Sequence, residues 1–225
     1  MEPEPIPDAR TLDAILHREL PETAGRWLDA AVARCAADPT AITALFPVAR
    51  RACGRAAVPR WPGWSIDQAV RVRLLLALAL RGQALAARSC DLYDHGDSAE
   101  RIAVLRGLAS LDRHRGLGDA GLPLVRDALR TNDVRLIEAA MGPYAADHLD
   151  DAAYRQAVLK CAFAGLPLDR VPGLWRRADG GLGRMLDDLV RERHAAGRSI
   201  GPDVMAVAER LHDRSAVGRG PRGEH

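Results

Sequence analysis

The chain has 225 residues, enough for one large domain or two small ones. Hydrophobic residues make up 48% but aromatics only 4%, so the core must be built from Ala, Leu and Val, which favours packed helices over a sheet. Lys plus Arg (32) against Asp plus Glu (30) leaves +2, which excludes the strong field that gathers nucleic acid or anionic lipid.

The stretch MEPEPIPDAR is acidic and proline-rich, unlike a secretory or transit signal. Leu12, Ile15, Leu16 and Leu20 then predict a first helix, and Pro21 opens a second with Trp27, Leu28, Ala31 and Val32 on one face. Asp38-Pro39-Thr40 breaks it, and a third helix runs through Leu45 towards Arg55, with Pro47 disturbing or shortening its first turn. After the loop VPRWPGW, Ser65 caps a strongly apolar helix from Ile66 to about Ala87. Its apolar run, Leu74 to Leu80, is far shorter than the ~20 residues that cross a bilayer.

Asp97-Ser98-Ala99-Glu100 is an aspartate form of the capping box, opening a helix to about Leu111. Two short helices, GLPLVRDALR and NDVRLIEAAMG, meet at Thr131-Asn132 and resemble a HEAT-type pair. Asp150 caps a helix to Phe163, apolar on nearly every side and therefore expected to be central and buried; Gly165 ends it. Further helices cover about Leu182 to Ala196 and Pro202 to His212. The expected architecture is all-α, with about nine or ten helices in a compact bundle or a short HEAT-like array. A single domain spans residues 1–212, and 213–225 form a mobile tail with little to bury. The four cysteines, Cys35, Cys53, Cys90 and Cys161, contain no CxxC pair and fit a reducing cytoplasm.

Thirty-one of the 32 basic residues are Arg, and the other is Lys160; asparagine also occurs once, at Asn132. Heavy use of Ala, Arg, Gly and Pro suggests a GC-rich coding bias that exchanges Lys for Arg wherever the physics permits. A retained Lys then marks a need for a compact ammonium that can serve as base or nucleophile. Asn offers both donor and acceptor and tolerates unusual backbone angles. Gln156 lies four residues before Lys160 and shares its helix face. A structural ion pair to a carboxylate is the plainer expectation for Lys160; a pocket wall is the sharper one. At Arg130-Thr131-Asn132-Asp133, one of the last three residues is expected to be an N-cap.

Two Asp-His clusters, at 94–97 and 147–150, put His95 and His148 just before helices. Each final Asp is explained as a cap, and the spacing matches no established ligand pattern, so no metal and no other cofactor is expected. Asp187, Asp188 and Glu192 are similar to a terpene-cyclase magnesium box. The required second box is missing, because Leu136 and Ala140 stand where a hydroxyl and a carboxylate belong. No phosphate loop, nucleophile elbow or HExxH appears.

The stretches WSIDQAVRVRLLL, YDHGDSAERIAVLRGL, ALRTNDVRLIEAA, PYAADHLDDAAYRQAVLKCAFAGLPL and RADGGLGRMLDDLVRERHAAGR resemble the EboA-type family over about residues 64–198. The likeness is most specific around Arg130-Thr131-Asn132 and Gln156 to Lys160, where the single Lys and single Asn both fall. Family members typically show Asn-Pro-Tyr at Gly142-Pro143-Tyr144 and Trp-Asn-Gln at Tyr154-Arg155-Gln156, and those departures point to a different ligand if these positions line a site. The resemblance implies an operon setting tied to producing or exporting specialised metabolites, without an established reaction for this component.

Two functions follow from these readings. In the first, the chain is a cytoplasmic ligand-binding or adaptor protein that holds a polar or anionic pathway intermediate or a partner enzyme, with no nucleic acid and no stable membrane insertion. In the second, it is an enzyme without a recognised motif. Lys160 is then the base or Schiff-base nucleophile, His95 and His148 are reserve acids or bases, Asn132, Tyr144 and Gln156 orient substrate, and Arg130 binds its carboxylate or phosphate.

Overall fold

The computed structural model describes residues 6–59 and 61–217. Its helices are α1 (Ala9–Glu19), α2 (Glu22–Ala37), α3 (Ile42–Cys53), α4 (Ile66–Ala77), α5 (Gly82–Asp94), α6 (Ser98–Arg115), α7 (Leu122–Arg130), α8 (Val134–Ala140), α9 (Pro143–His148), α10 (Asp151–Ala164), α11 (Leu174–Arg177), α12 (Gly180–Ala195) and α13 (Pro202–Val217). Among the described residues there is no strand, only an isolated antiparallel bridge between Ala57 and Ser65. The described residues form two compact units that divide between Thr131 and Asn132.

Among the described residues thirteen helices stand where nine or ten are expected; the three not foreseen are α5, α9 and α11. The apolar run after Ile66 is two helices rather than one. The chain turns out of α4 at the fully buried Leu78 (ψ 132°), and Gly82, at φ +48°, permits the turn into α5. Arg115 supplies a partner for the end of α4 by donating to the Leu76 carbonyl at 2.5 Å. Helices α9 and α11 have six and four residues, too short for the 3.6-residue period to register. Pro47 lies within α3, which continues past it, and α13 extends beyond His212 to Val217. The expected mobile tail therefore begins inside a helix, and residues 218–225 lie outside the described residues.

In the first unit α4 is the hub, packing against α1, α2, α3 and α6 and burying ten of its twelve residues. Ser65 and Gln68 form its capping box. Gly107 on α6 lets the two helices approach: an added Cβ would meet the Val72 and Leu75 side chains at 3.4 and 3.5 Å. Arg71, 1% exposed, sits in the middle of this packing. It donates to the Phe46 carbonyl of α3 at 3.0 Å and to Asp67 at 2.6 Å, and lies 3.5 Å from Glu100 of α6. Asp67 also accepts from Ser65 Oγ, and Glu100 accepts from the Asp97 amide as the other half of the expected capping box. One guanidinium thus ties three helices together, with both carboxylates otherwise satisfied.

The second unit packs α10 against α8 and α12, and α12 against α13. Tyr154, 1% exposed, donates to the Pro172 carbonyl at 2.7 Å, and Arg177 lies over its ring. Arg176 and Arg177 fasten α11 to Asp147 and Asp151. Arg155 forks onto Asp179, the N-cap of α12, at 2.7 to 3.1 Å. Contrary to expectation, α10 is not buried all round. Tyr154, Ala157, Val158 and Cys161 face inward, while Gln156 is exposed and Phe163 is 47% exposed. The letters alone conceal this, because an exposed Phe and a buried one read alike.

Replacing Arg71 with Met should cost about 3–5 kcal/mol in urea unfolding, because it strands two buried carboxylates. Replacing Arg26, whose exposed partner Glu22 is one helical turn away, should change stability by less than about 0.5 kcal/mol. Asp179 gives a pH test. Its hydrogen bond from Arg155 holds the carboxyl below its ordinary value of 3.8. The unfolded state then takes up its proton first, so this contribution is full above 3.8 and is lost as pH falls through the lower folded value. Asp179→Asn keeps a capping oxygen but removes the titration. Its urea midpoint should lie below wild type at neutral pH and converge with it in acid.

Candidate functional site

The segment between α7 and α8 assigns each side chain a different task. Arg130, at the end of α7, pairs with Asp127 at 3.0 Å. Thr131 closes α7 by donating its hydroxyl to the Ala128 carbonyl at 2.8 Å. Asp133 is the N-cap of α8, accepting from the Arg135 amide at 3.0 Å. Neither helix end uses the Asn132 side chain, which reaches α10 instead. Lys160 Nζ donates to Asn132 Oδ1 at 3.1 Å. The only lysine and the only asparagine in the sequence are bonded to each other.

This bond has a chemical consequence. An ammonium can only donate, so the oxygen of the amide faces Lys160 and the NH2 group faces away. The pair therefore presents mainly donors, the amide N–H groups and the remaining ammonium N–H groups. Lys160 is half-buried and Asn132 exposed, and neither has a carboxylate partner among the described residues. The plainer expectation, an ion pair between Lys160 and a carboxylate, does not hold. Gln156 is exposed one turn earlier on the same stripe of α10.

The other predicted residues are engaged locally. Tyr144 is 3% exposed on α9, and its ring stacks on His148 at 4.4 Å between centroids. His95 is exposed at the end of α5, where Nδ1 donates to the Asp91 carbonyl at 2.9 Å. In both Asp-His clusters the final Asp is a cap: Asp97 accepts from Glu100 and Asp150 from Ala153. Among the described residues, no three His, Cys, Asp or Glu side chains gather into a group able to hold a metal ion. Sequence reasoning missed Asp127 and Tyr93. Tyr93, 1% exposed, donates to Asp127 Oδ2 at 3.0 Å, while Arg130 takes Oδ1. Burial and that carboxylate push the Tyr93 hydroxyl up, so it acts as a fixed donor orienting Asp127 and, through it, Arg130. The three-residue spacing of Asp127 and Arg130 is readable on a helix; the 34-residue separation of Tyr93 leaves no local signal.

The departures from the family pattern also take on physical roles. Gly142 is the N-cap of α9, Tyr154 is a core aromatic with its hydroxyl pushed up by burial to about 12, and Arg155 holds Asp179. Two shallow grooves are lined by none of the predicted residues. One, of about 310 Å³, is lined by Asp187, Val190, Met205, Ala208, Glu209 and His212; the other, of about 350 Å³, by Asp8, Ala9, Arg10, Leu76, His114 and Arg115.

No curated protein and no solved structure matches the chain. One family model does, described as metabolite traffic protein EboA, and it covers residues 46–209, from α3 into α13 and across both Asn132 and Lys160. The chain belongs to the EboA family.

Proposed function

We propose that this protein binds a polar or anionic small-molecule intermediate of a specialised-metabolite pathway and passes it, unaltered, to a partner enzyme. The centre of the site is the Asn132–Lys160 pair, with Gln156 beside it. The observation that carries this reading is the donor-rich face that the pair presents. Such a face selects ligands rich in acceptors, and a carboxylate or phosphate suits it best. The family description, a metabolite traffic protein, fits holding and transfer better than conversion. Among the described residues no helix is long and apolar enough to cross a membrane. The transfer proposed is between proteins in the cytoplasm.

The enzyme reading uses the same lysine as a base or Schiff-base nucleophile, with His95 or His148 as proton carriers, and the two separate cleanly by experiment. Wild type, Lys160→Met, Lys160→Arg and Asn132→Ala are returned to a deletion strain and its metabolites profiled, after melting curves confirm folding. The bond is neutral at one end and partly exposed, so Lys160→Met should cost less than about 1 kcal/mol of stability. Lys160→Met and Asn132→Ala should let an intermediate accumulate, and Lys160→Arg, which keeps the charge, should restore part of the function. Purified wild type should then bind that intermediate about tenfold more tightly than Lys160→Met, about 1.4 kcal/mol, without turning it over. Product formation by the purified protein alone would establish the enzyme. Full complementation by Lys160→Met would remove Lys160 from either role.

A further inference from the structure

Three large hydrophobic residues are exposed among those described: Val134 (42%), Phe163 (47%) and Met205 (38%). Two of the three flank the same hydrogen bond. Val134 is two residues beyond Asn132, and Phe163 three beyond Lys160. On α10 the residues Gln156, Leu159, Lys160 and Phe163 recur at helical spacing along one stripe, with Leu159 half-buried between them. From α12, the Arg193 guanidinium lies 5.5 Å from the centre of the Phe163 ring. It makes no ion pair with a carboxylate among the described residues, and neither does Lys160. The described face therefore alternates apolar surface (Leu159, Phe163, Val134) with two cations and an outward-facing amide.

Apolar side chains left in water beside cations that have no acid to neutralise them call for a ligand with both properties. We infer that this face of the second unit binds a small amphiphilic anion, with its carboxylate or phosphate head between Lys160, Asn132 and Arg193 and its apolar body on Leu159, Phe163 and Val134. This rests on the ligand-holding reading of the Asn132–Lys160 pair and adds the class of ligand. A purely hydrophilic anion would leave the exposed Phe163 uncovered. A neutral lipid would leave both cations without a counter-charge.

The composition supplies two site-specific reporters. The chain has only two phenylalanines, and Phe46 is buried at 1%, so 4-fluorophenylalanine labelling yields one exposed and one core fluorine resonance. Lys160 is the only lysine, so biosynthetic labelling with [13Cε]lysine marks it alone and leaves its three N–H groups in place. Phe163→Leu and Lys160→Arg assign the signals. Dodecanoate, kept below its micelle concentration, should move the Phe163 and Lys160 resonances together and saturably while Phe46 stays still. Dodecanol should bind about tenfold more weakly, and Lys160→Met and Arg193→Met should each weaken dodecanoate several-fold.

Dodecanol binding as tightly as dodecanoate would overturn the inference by making the contact apolar only. Inorganic phosphate or acetate moving Lys160 as readily as dodecanoate, with Phe163 unmoved, would overturn the amphiphilic class and leave the anion-holding reading intact. Silence at both reporters towards every anion would overturn both. Capture of a pathway enzyme by this face without any response to dodecanoate would assign it to a protein and overturn the small-molecule inference.

Discussion

A chain with two Phe and three Tyr must fill its interior with Ala, Leu and Val, and that constraint governs both units. Small side chains bury little area each, so helices must come close together and bury almost everything they carry. Helix α4 does so, with α6 brought near at Gly107. Short helices then multiply, and each brings unpaired carbonyls and amides at its ends. Arginine deals with many of these. Arg71 joins α3, α4 and α6; Arg115 reaches the Leu76 carbonyl; Arg155 fixes the cap of α12; Arg176 and Arg177 hold α11. A planar fork with five donors suits such work, so the arginine content has a structural use beyond coding bias.

Lys160 stands apart from that pattern. It ties no helix end and pairs with no carboxylate; its one protein partner is an amide oxygen that neither α7 nor α8 needs. The division of tasks among Arg130, Thr131, Asn132 and Asp133 explains how the site arises. Three of the four are committed to helix ends or a local ion pair, and the remaining one turns towards α10. The pair ties no helix end, and its uncommitted N–H groups are the ones proposed to meet a ligand.

Much of this was legible in the sequence. The caps at Asp97 and Asp150, the stop at Gly165 and the junction at Thr131-Asn132 follow from local rules, because each uses groups within a few residues. The rarity of Lys160 and Asn132 singled both out, but no local rule joins residues 28 positions apart. The break at Leu78 was hidden inside an unbroken apolar run. The buried cluster around Arg71 was hidden too, since an Arg on an apolar helix reads as a surface residue until the neighbouring helices are placed. Phe163 was misjudged for the same reason, its exposure depending on what α12 leaves uncovered.

The central claim is that the Asn132–Lys160 pair holds a pathway molecule without changing it. Native mass spectrometry of the full chain, purified from cells running the pathway, tests it most directly. Wild type should carry an extra mass that denaturation releases as an intact small molecule, and Lys160→Met isolated alongside should lack it. Spectra in which both proteins carry the same bound mass would contradict the account.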